Sequence, residues 1–561
     1  MEALDVALPA ETLERPAPKP KPRLRVGVFA AAQRQPRWVI DALGRIATSE
    51  CARIAVLALG LAAPEATAPL WSLYARLDRR LFGAGPDAAE LLDVITEIPH
   101  EERIGLAAPA SIVQWRGKVA ALDLDVALAL DDVDDGLLEG LARYGVWRFC
   151  AGDAAASMDP LACAREVAEG APLTTTGLKV VLADGGGERL VYASAARTHA
   201  FSAARNRDEA LRKSAAFAVR ALGELHRAGA EWLDRCPECV SGGNRSAGAG
   251  SAPAPAAPGL KESAWDVLRL GTRAAWRGAQ KLVAVDQWSI AYRFEETRGA
   301  VADLAGFRRL VPPRDRLWAD PFPLTVAGRH FIFFEEMPFA TGKAHLSVIE
   351  IARDGTCSKP RRVLERDYHL SYPFLFEHEG GLYMVPESAQ NRTVDLYRCV
   401  AFPNRWKLER TLLRGARCAD ATLHHDGARW WMFAGSAPEG GALDDELHLF
   451  HADRLEGEWQ PHERNPVKSD VRSARPAGAL FRDEQGLCRP AQVGAPRYGS
   501  GVSIQRILRL SPSEFVEREA RRIQPARADR VLGIHTYNHS GGLTVMDGFA
   551  YRLRNPLAKR G

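Results

Sequence analysis

Apolar positions along the chain follow two different rhythms. Over the first 235 residues, short continuous apolar runs alternate with amphipathic stretches: LRVGVFA at 24–30, an amphipathic segment from Trp38 to Ala47, then ARIAVLALG at 52–60 and LDVALAL at 124–130. Apolar runs of this length bounded by helical periodicity predict buried strands joined by helices, a β-α-β arrangement. RDEALRKSAAFAVRALGELHRAGAEWL at 207–233 carries the 3.6-residue period of one long closing helix. The expectation is an α/β domain over residues 24–235, preceded by a proline-rich basic leader at 1–23 that lacks the apolar content to fold.

The pattern stops at VSGGNRSAGAGSAPAPAAPG, residues 240–259, whose Gly, Ser, Ala and Pro cannot bury a core. A flexible linker is expected over 236–262. A helical connector is expected over 263–299, where SAWDVLRLGTRAAWRGAQKLVAV interleaves Trp265, Leu268, Trp276 and Leu282 with Arg269, Arg273, Arg277 and Lys281. Such a helix either packs on the next domain with its arginines solvated, or makes peripheral contact with a membrane through 263–285.

From about residue 300 onward the apolar period is that of strands and turns, and one cadence returns. LWADPFPLTVAGRHFIFFEE, LSYPFLFEHEGGLYMVPES and CADATLHHDGARWWMFAGS each enter a strand after a short polar step, turn at glycine and return. Aligning the copies places Asp320, Tyr372, Asp420, Arg475 and His535 in equivalent positions. Five copies at this spacing predict an all-β five-bladed propeller over 300–561, in which the first strand of each blade lines the axis. Those five side chains would then ring one mouth of the channel.

Composition narrows the function classes. A net charge of +4 over 561 residues gives no electrostatic footprint for nucleic acid. Nine cysteines without framework spacing, and an N-terminus without a secretion signal, point to a reducing cytoplasm. No apolar run is long enough to span a bilayer. CPEC at 236–239 is a single Cys-x-x-Cys with no second pair, which does not make a zinc site, so neither metal nor cofactor is expected.

Two resemblances add to this. From LRVGVFA to about Ala228, and most visibly in GLARYGVWRFCAGD and DPLACAREVAEGAPLTTTGLKVV, the first domain resembles the formyltransferase fold. The positions matching that family's Asn-x-His pair are Arg148 and Cys150. Gly186 stands where its catalytic Asp would fall, with Asp184 nearby. The resemblance thus implies a formyltransferase-like domain without formyl-transfer chemistry.

The second half, through FFEEMPFATGKAHLSV, YHLSYPFLFEHEGGLYMVPESAQNRTVDLYRC, RPAGALF and GIHTYN, resembles the N-terminal region of plant glucosamine inositolphosphorylceramide transferases. At fold level it also resembles arabinanase- and invertase-type propellers. Their acids at the entries of blades one and three match Asp320 and Asp420, and their third acid matches Arg475. The implied protein is of bacterial type and acts on a sugar or sugar-nucleotide in polysaccharide or glycolipid assembly. Asp320, Asp420 and either Glu336 or Glu387 are the catalytic candidates, and His369 could also supply a proton. Arg475, Arg489 and Gln492 would contact a donor phosphate, with Tyr372 and His535 beside the substrate. Two other readings stand beside sugar transfer: a propeller that only binds a glycan or protein, and a glycoside hydrolase. For Asp320 the alternative is a packing role, bonded to Arg475 or Arg316; for His535 it is that of a satisfied channel histidine.

Overall fold

The computed structural model describes residues 21–60, 69–83, 85–105, 112–131, 133–152, 156–157, 163–183, 186–239, 260–295, 304–437, 441–526 and 529–553. Most of the expected leader (1–20), the core of the expected linker (240–259) and Asp184 lie outside these residues.

The apolar runs of the first half form the centre of an eight-stranded sheet. Leu24–Ala30 lies between Ala52–Leu59 and Val126–Ala129, and Glu102–Gly105 and Val146–Ala151 extend the parallel part outward. Leu173–Val181 and Glu188–Arg197 close one edge antiparallel. The central strands Leu24–Ala30, Ala52–Leu59 and Val126–Ala129 are buried on both faces, which is why they are nearly continuously apolar rather than alternating. Helix Arg37–Ala47 puts Trp38, Val39, Leu43 and Ile46 against one face together with Phe217 and Leu222. Trp115 and Val119 cover the other face with Phe29 and Val56. The expected single helix at 207–233 is three: Ala203–Ser214, Phe217–Ala228 and Ala230–Arg235. Gly229, at φ 66°, separates the last two in a left-handed conformation that would break any continuous helix.

The second half is five four-stranded blades, one of them carrying an extra short strand. Blade I is Arg316–Val326, Arg329–Pro338, His345–Ile351 and Arg361–Leu364; blade II is Ser371–His378, Gly381–Glu387, Thr393–Ala401 and Arg405–Arg414. Blade III is Cys418–His425, Trp430–Ser436, Glu446–Ala452 and Gln460–Pro461, and blade IV is Phe481–Asp483, Gly486–Val493, Gly501–Leu510 and Phe515–Ile523. Blade V corrects the expected boundary. Its inner strands Tyr537–Ser540 and Leu543–Leu553 are completed by Ala284–Phe294 and Arg308–Leu310, so the propeller starts at 284 rather than 300. The connector is accordingly helical only over Leu260–Val283. Ala284–Phe294 pairs with Leu543–Leu553 along its whole length, from Ala284 opposite Leu553 to Phe294 opposite Leu543. The ring is closed by joining its two chain ends.

The two halves pack together. Arg220 pairs with Glu446 at 2.7 Å, Lys213 with Asp445 at 2.8 Å and Arg197 with Asp444 at 3.2 Å. The Val471 N–H donates to the Ala195 carbonyl, so the edge of the first sheet holds the segment that leads to Arg475.

Inside blade IV, Arg489 is fully buried, donating to Glu517 and to the Ser473 and Ala474 carbonyls. Arg489→Met leaves Glu517 paired only with Lys468 and strands two carbonyls. The expected loss is about 3–5 kcal/mol, with part of it restored in the double variant Arg489→Met/Glu517→Gln. Chemical denaturation of the single and double variants checks this.

Candidate active site

Three blades share one backbone device. Asp320, Tyr372 and Asp420 sit near the start of the inner strand with φ of 49°, 46° and 53°, and at each the ladder slips: between Ala319 and Phe322, Ser371 and Phe374, Ala419 and Thr422. A β-bulge adds residues to one strand and leaves their backbone groups without ladder partners. A left-handed non-glycine residue costs about 1–3 kcal/mol, so three in equivalent places need compensation.

That compensation comes from the neighbouring blade. The Asp320 N–H donates to Asp547 Oδ2 of blade V at 3.2 Å, and the Tyr372 N–H donates to Asp320 Oδ2 at 3.2 Å. Tyr372 Oη meets Thr422 Oγ1 of blade III at 2.8 Å. Asp420 accepts from Arg475 Nε at 2.6 Å and from Gln492 Nε2 at 2.7 Å, which ties blade III to blade IV. Asn538 of blade V takes the Ala479 N–H and donates to the Pro321 carbonyl.

Above this polar layer is a cavity of about 230 Å³, walled by Asp320, Glu335, Glu387, His369, Arg475 and His535, with Ser371, Trp288, Tyr498, Leu317 and Ala319. Phe322, two residues beyond Asp320, already belongs to a second cavity of about 350 Å³ of mixed lining, with Leu324, Leu375 and Phe376 beside Glu377, Asn538 and His539. The layer of bulges lies between the two.

Electrostatics separates the acids. His535 lies 3.1 Å from Asp320 through Nε2 and 2.6 Å from Asp547 through Nδ1. Burial favours the neutral ring, but Asp547 and Asp320 outweigh it and raise the imidazole to about 10. His535 is therefore an imidazolium held between two aspartates. Glu335 pairs with Ala319 across the first hairpin of blade I and shares its face; burial raises its carboxyl, and His369 Nε2 lies 3.3 Å away. Burial alone would lower His369, yet Glu335 and the surrounding carboxylates raise it. Glu387 accepts from Ser371 Oγ at 2.6 Å and from the Ala389 N–H at 3.1 Å.

Asp320, Glu387, His369, Arg475 and His535 thus meet at one cavity. The remaining sequence candidates do not. Glu336 faces the opposite side of its strand, bonded to Arg316, Ser347 and Trp318 with His345 alongside, and these partners hold its carboxyl down at about 2 against the effect of burial. Tyr372 turns its ring below the cavity against Phe322. Asp420 is fully buried behind Arg475, and burial raises it to about 7. Gln492 is spent on Asp420 and the Pro476 carbonyl, and Arg489 on Glu517. A double-arginine phosphate clamp is therefore not formed, and the one arginine at the cavity is already paired with Asp420. Asp320 is bonded to neither Arg475 nor Arg316: Arg475 goes to Asp420, and Arg316 goes to Asp315 and Glu336.

In the first domain, Arg148 lies on strand Val146–Ala151 and donates to the Asp131 and Val133 carbonyls. Cys150 is buried, its thiol pushed up to about 12. Gly186 turns back on Ala183 ahead of the edge strand Glu188–Arg197. None of the three offers a group suited to proton transfer at neutral pH.

Glu335, Trp288, Tyr498 and Asp547 were not among the sequence candidates. Strand alternation already allows only one of Glu335 and Glu336 to reach the axis. Trp288 lies ahead of the expected start of the propeller, and Asp547 on its last strand. Among the described residues, Asp320, His535 and Asp547 are the one group whose ligand atoms all fall within 4.8 Å of one another. The imidazolium supplies the positive charge there, and a metal ion would have to displace its proton.

The pH consequence has a definite sign. His535 is raised in the folded state from 6.5 to about 10, so its contribution is full below 6.5 and is lost as pH rises through about 10. The expected loss is on the order of a few kcal/mol. Thermal unfolding across pH 6 to 10.5 should therefore show a steep decline in wild type and a shallower one in His535→Gln.

Residues 312–531 match the family model of the N-terminal region of glucosamine inositolphosphorylceramide transferase 1. The Arabidopsis thaliana protein of that name is 31% identical over 204 residues, covering 36% of this chain and 27% of the relative. The Oryza sativa subsp. japonica protein is 32% identical over 203 residues, with the same shares. The chain therefore spans about a quarter of the length of the curated relatives it matches. Among solved structures, a family 117 glycoside hydrolase from Zobellia galactanivorans is similar at 12% identity and a TM-score of 0.31, covering 47% of this chain and 90% of that one. The catalytic domain of a GH62 α-L-arabinofuranosidase from Coprinopsis cinerea is similar at 13% and 0.33, covering 49% and 92%. The segment similar to the plant transferases runs through blades I to IV and carries Asp320, Glu335, His369, Glu387, Asp420, Arg475 and Tyr498.

Proposed function

We propose that the cavity is a glycosyl-transfer site that holds one sugar residue. The observation that carries this reading is the pairing of Asp320 with Glu335. Two carboxyl groups from adjacent strands of blade I face one space in opposed surroundings, Asp320 against the His535 imidazolium and the Tyr372 N–H, Glu335 raised by burial beside His369. Carboxyl groups whose environments are driven apart are what acid–base chemistry at an acetal centre requires.

The roles follow from position. Glu335 donates its proton to the oxygen that leaves the anomeric carbon, and takes one back from the acceptor hydroxyl that replaces it. Asp320 faces the positive charge that develops on the ring. His369, whose side chain is 31% exposed, links Glu335 to solvent. Trp288 and Tyr498 supply aromatic walls, and Glu387 and Arg475 remain for hydroxyl groups. About 230 Å³ is below the roughly 300–1,000 Å³ of pockets for larger ligands, so a leaving nucleotide or an acceptor chain would lie outside the cavity. The relatives' name supports a transferase, and points to glucosamine as the sugar and an inositolphosphorylceramide-type acceptor as the first pair to try. The setting is polysaccharide or glycolipid assembly, and the place of action the cytoplasm.

A non-catalytic glycan-binding propeller is the second reading, favoured by the degree to which Asp320 is already bonded within the protein. The two separate by kinetics. The full chain is incubated with nucleotide-sugars and glycolipid acceptors, and in parallel with chromogenic glycosides to reveal hydrolysis. Asp320→Asn and Glu335→Gln should each lower kcat by about 10²–10⁴-fold while sugar binding changes little. Binding without turnover in the wild type would leave only the second reading.

A further inference from the structure

The helix Leu260–Val283 leaves most of its large apolar side chains on the outside. Its inward side buries Leu270 and is otherwise held by polar contacts: Arg273 donates to the Val167 carbonyl, and Arg277 to Tyr551 and to Gln280 of the same helix. Its outward side is apolar, with Trp265 56% exposed, Leu268 55%, Trp276 74%, Leu282 78% and Val283 58%. At 100° per residue these five fall within an arc of about 120° along roughly 27 Å of helix. A second helix, Pro69–Phe82, packs beside it and exposes Leu77, Leu81 and Phe82.

Among the described residues, eight of the eighteen exposed large apolar side chains lie on these two helices. Soluble surfaces scatter such residues, and their concentration marks a contact surface. Charge selects the partner. Between Asp266 and Asp286 the chain has four basic residues and no acid, and of the four Arg273 and Arg277 are turned inward. Arg269 and Lys281 remain exposed, as does Arg80 on the second helix. An apolar strip bearing two tryptophans, with Arg269 at its edge and Lys281 and Arg80 exposed elsewhere on the helix pair, matches the headgroup zone of a bilayer that contains anionic lipid.

We propose that this helix pair seats the protein on an anionic membrane surface, lying in the interface without crossing it. No helix among the described residues is long and apolar enough to span a bilayer. The inference stands independently of the chemistry at the cavity.

Sedimentation of the full chain with vesicles tests it. Binding should be at least about tenfold stronger to phosphatidylcholine vesicles containing phosphatidylglycerol than to phosphatidylcholine alone, and should weaken with salt. Trp265→Ser/Trp276→Ser should lose at least about tenfold while keeping the wild-type melting temperature, and Leu268→Ser/Leu282→Ser serves as an independent second variant. No binding to the anionic vesicles, or equal binding by both variants, overturns the proposal. So does a wild-type dimer in sedimentation equilibrium that both variants convert to monomer, because the strip would then be an interface between copies.

Discussion

The propeller depends on how its axis is satisfied. Bulges in three consecutive blades break the inner ladder and force Asp320, Tyr372 and Asp420 into left-handed backbone conformations. A buried N–H without a partner costs as much as a lost hydrogen bond. The freed N–H groups of Asp320 and Tyr372 are taken by carboxylates from the preceding blade, so relieving local strain and joining neighbours are one act. Blade V contributes Asp547, blade I contributes Asp320, and the Tyr372–Thr422 and Asp420–Gln492 bonds carry the connection onward. The ring is thus held at its centre by polar groups as well as between blades by aromatic packing.

This arrangement places structure and chemistry in the same residues. Asp320 caps the Tyr372 N–H, pairs with His535 and still borders the cavity. Its fixed position is a direct product of the need to close the ring. Glu335 has no such duty, and burial together with the Asp320 carboxylate raises its carboxyl against the pull of His369 and His535. Their different surroundings therefore originate in topology: one stands at a bulge, the other in regular ladder.

Much of the architecture was legible in residue order. The repeated polar step before each inner strand located the positions that structure shows as bulges or blade entries, and the Gly/Ser/Ala/Pro tract separated two halves with different periods. What stayed hidden involved pairing across long separations. Ala284–Phe294 has the alternation of a strand, but only its distant partner Leu543–Leu553 makes it part of blade V. The choice between Glu335 and Glu336 turns on which of them lies opposite Ala319, and a bulge shifts that count. Arg489 and Gln492 carry chemistry-bearing groups, yet Glu517 and Asp420 had already claimed them, and no motif reveals a claim of that kind.

Ala284 and Leu553 face each other on paired strands. The propeller therefore receives and releases its polypeptide at one corner. A unit with such adjacent ends can be spliced into an unrelated host, or followed by a different neighbour, without redrawing its interior. A change of host then alters the flanking sequence and the face that meets the first domain, while the closure between the first and last strands stays the same.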